Sequence, residues 1–143
     1  MNHSHHSSFV EQALFDHTFH TLVLTLHENE RPLRGLSGRM DWFFHGEISR
    51  FLKQGVIHGT PGEYCLLPIR KHEQMYFLLL MGLGKSSKPG LREKPSFAHL
   101  QELNTRLTSL KIKKIGISRS DFGDISTDLL TQHLSGAELW IGQ

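Results

Sequence analysis

The chain has 143 residues, 38% hydrophobic and 21% charged, with a formal net charge of +2. This length fits one α/β domain, whose core can bury roughly 70% of the unfolded surface. The longest apolar run, residues 75–81, falls far short of the roughly 20 residues a bilayer span needs, and nucleic-acid binding, which would draw only on the mild positive charge, is disfavoured.

The first 17 residues hold His3, His5 and His6 among serines. No basic segment leads into an apolar stretch with a small-residue cleavage site, so no secretory leader is expected. We read residues 1–17 as a flexible His-rich segment and 18–143 as the folded domain. A floppy polar tail is the commoner explanation and an adventitious or real metal-binding tail the sharper one; either way no organised metal site and no cofactor are expected. Residues 18–27 predict a strand, with Phe19, Leu22, Leu24 and Leu26 in partial alternation. Residues 28–32 form a polar turn, and Pro32 disfavours helix at Arg31. A helix is predicted over about 39–54. Met40, Phe44, Ile48, Phe51 and Leu52 share one face, Ser37 caps its start and Gly55 ends it. Gly46 inside it costs about 1 kcal/mol relative to alanine, which points to close approach of a strand or a ligand, close packing being the commoner cause.

Residues 58–62 are a turn, and 64–69 a short strand with Pro68 at its end or on a sheet edge. Residues 71–74 make a hairpin connection. The run 75–81 reads as a strand covered on both faces. A Gly, Ser, Lys and Pro loop follows over 82–95. Phe97, Leu100, Leu103, Leu107 and Leu110 define a second amphipathic helix, capped by Ser96. Residues 112–118 give a strand, 120–124 a turn, 125–134 a short helix and 138–142 a last strand. Strand and helix alternation predicts an α/β fold, a mixed β-sheet flanked by helices.

Three stretches carry a resemblance. One runs from Arg31-Pro32-Leu33-Arg34-Gly35 to Asp41-Trp42 and into the helix. The second is the apolar strand from Phe77 ending in Gly82-Leu83-Gly84-Lys85. The third is the strand Lys114-Ile115-Gly116-Ile117. Together, over residues 18–142, they resemble the amino-terminal domain of the leucyl (cytosol) aminopeptidase family. The resemblance implies a macro-domain-like three-layer sandwich. In such aminopeptidases the two metal ions and the catalytic groups belong to the carboxy-terminal domain. Its metal-binding segment has no counterpart here: Asn104-Thr105 is followed by Arg106. The resemblance therefore implies a non-catalytic, stand-alone domain acting in protein binding or assembly, with an unknown hydrolase as the remaining enzymatic alternative. Macro domains of the same fold bind ADP-ribose through an Asn-rich loop and a Gly-rich helix start. Trp42, Phe43, Phe44 and His45 stand where small glycines are expected, so weak ADP-ribose binding or none is expected.

The best candidate ligand site is Gly82, Gly84, Lys85, Ser86 and Ser87. It follows a buried strand, where open α/β sheets bind ligands. Backbone N–H groups there can cradle a small anion such as a nucleotide, and Lys85 adds charge. The spacing is not that of a Walker loop. Asp41 and His45 are four apart on a helix, a conceivable acid–base pair, though a solvated face is the commoner explanation. Ser118, Ser120 and Asp121 follow a strand and could face the same crevice. Cys65 reads as packing. As the one cysteine, it forms no intrachain disulfide, and a cytoplasmic location is the default. Lys111, Lys113 and Lys114 form the densest basic cluster, read as a solvated strand start. Trp42 and Phe43 lie off the main apolar face and are the candidate interface residues, for self-association or a protein partner.

Overall fold

The computed structural model describes residues 4–6, 10–16, 19–88 and 95–142. Among these the strands are β1 (Ser4–His6), β2 (Thr21–His27), β3 (Tyr64–Lys71), β4 (Gln74–Gly84), β5 (Lys114–Ser118) and β6 (Glu138–Gly142). They form one sheet in the order β1-β6-β5-β2-β4-β3. Neighbours run parallel except β3, which pairs antiparallel with β4.

The apolar run lies inside β4, which has a strand on each side and helices over both faces. Leu78 and Leu80 enter one buried cluster, Leu79 and Met81 the other. Side chains alternate along a strand, so an unbroken apolar run is what double cover requires. One face is covered by α1 (Val10–Phe15), α2 (Gly35–Phe43) and α3 (Glu47–Lys53), which contribute Val10, Leu14, Leu36, Met40 and Ile48. The other is covered by α4 (Phe97–Ser109) and α5 (Thr127–His133), through Leu100, Leu103, Leu107 and Leu130. The expected α/β three-layer sandwich is present.

Several local expectations are corrected. The single helix over 39–54 is two. The helix breaks at His45 (φ 57°) and Gly46 (φ 79°), both left-handed. A Cβ at Gly46 would meet nothing within 4 Å, so the glycine serves backbone conformation and not close packing. Asp41 restarts the helix: its carboxylate accepts from the Ser49 backbone N–H (2.9 Å) and hydroxyl, capping α3 from the preceding helix. Asp41 is thus committed to Ser49 and forms no acid–base pair with His45. Ser37 is no cap. It is buried within α2 and donates its hydroxyl to the Thr25 carbonyl at 2.7 Å.

The chain is also structured before residue 18. β1 extends the sheet beside β6, and α1 buries Val10 and Leu14 completely. Residues 1–17 are therefore not a tail throughout; β1 and α1 belong to the domain. Other expectations hold with small shifts. Ser96 caps α4, accepting from the His99 N–H. The short helix starts at Thr127, capped by Ser126. Pro68 lies within the edge strand β3. The hairpin connection is tighter than predicted: His72 and Glu73, both at positive φ, form a two-residue turn whose twist suits the flanking strands.

Candidate functional site

The carboxyl ends of β2, β4 and β5 share one edge of the sheet, where a crevice forms in open α/β folds. The predicted loop lies there, but its donors are occupied. The Gly82 N–H donates to the Glu63 carbonyl and the Gly84 N–H to the Gly59 carbonyl, both at 2.8 Å. The Gly84 carbonyl accepts from the Glu28 N–H. A Cβ at Gly82 would lie 2.1 Å from the Thr60 carbonyl oxygen, and one at Gly84 2.7 Å from Pro61. These glycines admit the loop over residues 59–61, not a ligand. Ser86 is buried and clamped to Asn29: its N–H donates to Asn29 Oδ1, and Asn29 Nδ2 donates to its carbonyl. Lys85 is exposed at the rim, and Ser87 is exposed beside Ser86. The structure thus assigns the backbone donors of Gly82, Gly84 and Ser86 to the protein itself.

The start of α2 lies on the same edge. Arg34, not Trp42, is its N-cap, so residues 42–45 do not stand at the helix start. Two buried carboxylates meet its orphan N–H groups. Glu30 Oε1 accepts from the Arg34 N–H (3.2 Å), and Asp121 Oδ1 from the Leu36 N–H (3.3 Å). Glu30 is 2% exposed and Asp121 not at all. A helix start favours negative charge through its N–H groups and macrodipole; here the protein supplies that charge. Ser118 and Ser120 hold each other at 3.0 Å on the same edge. Of this set only Ser118, Ser120 and Asp121 were flagged in the sequence; Glu30 resembles a turn residue until α2 folds back over it.

His27 was also missed. It is buried at the end of β2, with Nδ1 3.1 Å from the Gly84 carbonyl. A carbonyl only accepts, so Nδ1 is the donor in this bond. Nε2 is buried with no hydrogen-bond partner among the described residues. No group of three or more His, Cys, Asp or Glu side chains among the described residues is arranged to hold a metal ion.

The predicted interface residues separate. Trp42 is 83% exposed. Phe43 is half-buried, stacked on Phe15 of α1 at 4.3 Å and capped by the Lys71 ammonium 3.8 Å from its ring centroid. Between α1 and α2 runs a groove of about 570 Å³, walled by Phe15, Leu33, Met40, Trp42 and Phe43. A second hollow of about 450 Å³ lies against Trp42, beside Pro32, Asp41 and His45. The indole stands as a ridge between them.

The strand order, the three layers and the placement of the loops define a macro-domain-like fold. The solved structures similar to it include a variant of tomato leucine aminopeptidase, at 13% identity and TM-score 0.62, covering all of this chain and 32% of that one. They also include the macrodomain of Thermus aquaticus DarG, at 13% identity and TM-score 0.61, with 100% and 98% covered. The macrodomain of Mycobacterium tuberculosis DarG gives 12% identity and TM-score 0.64, with 99% and 98% covered. This chain thus spans about a third of the aminopeptidase and nearly the whole of each macrodomain. At these identities the likeness is one of fold. No protein-family model matches the chain, and no curated protein matches its sequence.

Proposed function

We propose that this macro-like domain is a non-catalytic module that works by protein binding or assembly, with Trp42 as its anchor and Phe43 in the floor of the adjoining groove. The observation that carries the reading is the exposure of Trp42 on a ridge between two hollows. Trp42 is not an isolated exposed side chain but adjoins the apolar walls of the groove, and tryptophan is enriched at the centres of interfaces. A patch with both a knob and a hollow is self-complementary, as a two-fold contact requires. In a two-fold contact two indoles of roughly 200 Å² each are buried, about 10 kcal/mol by area. That lies within the roughly 4–15 kcal/mol lost on association. A weak dimer is expected, with the groove supplying the remainder. Light scattering coupled to size exclusion across a concentration series tests this. Reversible dimerisation that Trp42→Ala abolishes, with an unchanged melting temperature, is the expected result. A strict monomer at the highest concentration reached removes the self-association reading.

A second reading keeps a nucleotide or ADP-ribose-like anion at Gly82, Gly84, Lys85, Ser86 and Ser87. Its support is the likeness to macrodomains. Against it stand the occupied N–H groups and the Glu30 and Asp121 carboxylates on the same edge, which repel an anion. Calorimetric titration with ADP-ribose should show little or no heat. A dissociation constant near 1 μM, about −8 kcal/mol, would make this the primary reading.

A further inference from the structure

The amino-terminal ends of the parallel strands, opposite the edge described above, carry a surface of different character. A hollow of about 540 Å³ opens between the starts of β2 and β4, the flank of β3 and the turn joining α4 to β5. Its floor is apolar: Phe19, Phe77, Leu66 and Ile112 line it, with Leu110 at the margin. Leu66 is 36% exposed and Leu110 46%, two of the five large apolar side chains left most open among the described residues. The margin is basic. Lys111, Lys113 and Lys114 line it, all exposed, and no acidic side chain is among the lining residues. None of these ammonium groups has an ion-pair partner among the described residues. In the sheet register Lys114 lies opposite Glu138, so one carboxylate offsets part of the charge.

Cations after a helix complement its dipole, and one near the last turn serves that purpose. The C-terminal turn of α4 already contains Arg106. Three further lysines around exposed leucines exceed that need.

From this juxtaposition we infer that the hollow is a docking site for an acidic peptide segment of a partner protein, one that interleaves carboxylates with large aliphatic or aromatic side chains. The charge is complementary to carboxylates, and the floor is complementary to apolar side chains. A phosphodiester chain would satisfy the lysines but leave Leu66 and Leu110 bare; these leucines, not Phe19 or Phe77, are the large apolar groups of the lining left exposed, and they offer no stacking platform. A bilayer surface fits a flat or convex patch better than a hollow. This surface shares no lining residue with the α2 groove, and the inference does not depend on Trp42.

The test pans a displayed library of random dodecapeptides on the whole chain. Enriched peptides should alternate Asp or Glu with Leu, Ile or Phe. The strongest, fluorescein-labelled, is then titrated by anisotropy against four proteins: the wild type, Lys113→Glu/Lys114→Glu, Leu110→Ser and Trp42→Ala. Each substituted side chain is solvent-exposed, and circular dichroism confirms folding. The lysine pair and Leu110→Ser should each weaken binding about tenfold or more, and Trp42→Ala should leave it unchanged. Added salt should weaken it as exposed charges are screened. The inference is overturned if no peptide is enriched, if enriched peptides lack acidic residues, or if binding ignores both the lysine and leucine changes. Lysine-dependent binding to phosphatidylserine vesicles or to single-stranded DNA, with no peptide enriched, likewise rejects it and reassigns the surface.

Discussion

At the scale of single residues, Glu63 shows how one side chain holds a loop that the sequence marks only as a turn. Its carboxylate accepts from the backbone N–H groups of His58 (2.8 Å), Gly59 (2.7 Å) and Thr60 (3.2 Å). Burial pushes its pKa up, but these hydrogen bonds and the His58 side chain outweigh that and hold it below the ordinary 4.5. A carboxyl whose folded pKa is depressed contributes stability above its unfolded pKa and loses it as pH falls through the folded value. At neutral pH Glu63→Gln should therefore be less stable than wild type by about 1 kcal/mol. The gap should close as pH falls from about 5 to about 3. Urea denaturation at both pH values checks this, and a gap that stays constant or widens in acid would show that the loop is held otherwise. The neighbouring residues follow the same physics. Burial, and then Glu63, raises the Cys65 thiol; burial, and then Glu102, pushes Tyr64 to about 12, with Arg106 opposing. Cys65 was legible as a packing residue. The role of Glu63 was not, because three N–H groups converge on it only once residues 58–60 have turned.

At the scale of elements, the α2–α3 break marks where periodicity misleads. Met40, Phe44 and Ile48 keep a four-residue spacing straight through the break, and all three are buried. A continuous helix and a kinked pair give the same pattern there, so the apolar face was legible and the break was not. Gly46 in a helical pattern signals close approach of a strand or a ligand, and the empty space around it and its φ of 79° show a left-handed backbone instead. Gly46→Ala should destabilise by about 1–2 kcal/mol although the space is empty, because φ at this position is positive. Asp41→Ala should lose about 1 kcal/mol through the cap on α3. Thermal melts followed by circular dichroism measure both. A neutral Gly46→Ala would mean that the chain can run helical through this point. The edge at the end of β4 carries the same lesson. Glycine after a buried strand is as compatible with a neighbouring loop as with a diphosphate, and Pro61 and Thr60 fill the space that a ligand would need.

For the whole molecule, the alternation of strands and helices from β2 to β6 was legible, and with it the three layers. The amino-terminal contribution was not. β1 is three residues long and joins the sheet through backbone pairing with β6, which leaves no hydrophobic period to read. α1 spans only six residues, too few for a helical repeat to stand out. Yet Val10 and Leu14 are fully buried, and the sheet is shaped to receive them. A Cβ on Gly116 of β5 would lie 2.3 Å from Phe19 and 2.7 Å from Val10. This predicts that the first helix is part of the cooperative unit rather than an ornament on it. Leu14→Ala should destabilise the whole domain by about 2–5 kcal/mol, the range for emptying a buried leucine site. The exposed neighbour Gln12→Ala should be nearly neutral. Denaturant unfolding read by tryptophan fluorescence and by far-ultraviolet circular dichroism reports the core and the helices separately. Coincident transitions shifted together by Leu14→Ala are the expected outcome, since Trp140 of β6 packs on Phe19 beneath α1. A Leu14→Ala protein that melts like wild type would show that α1 detaches at little cost, and the folded unit would then begin at β2.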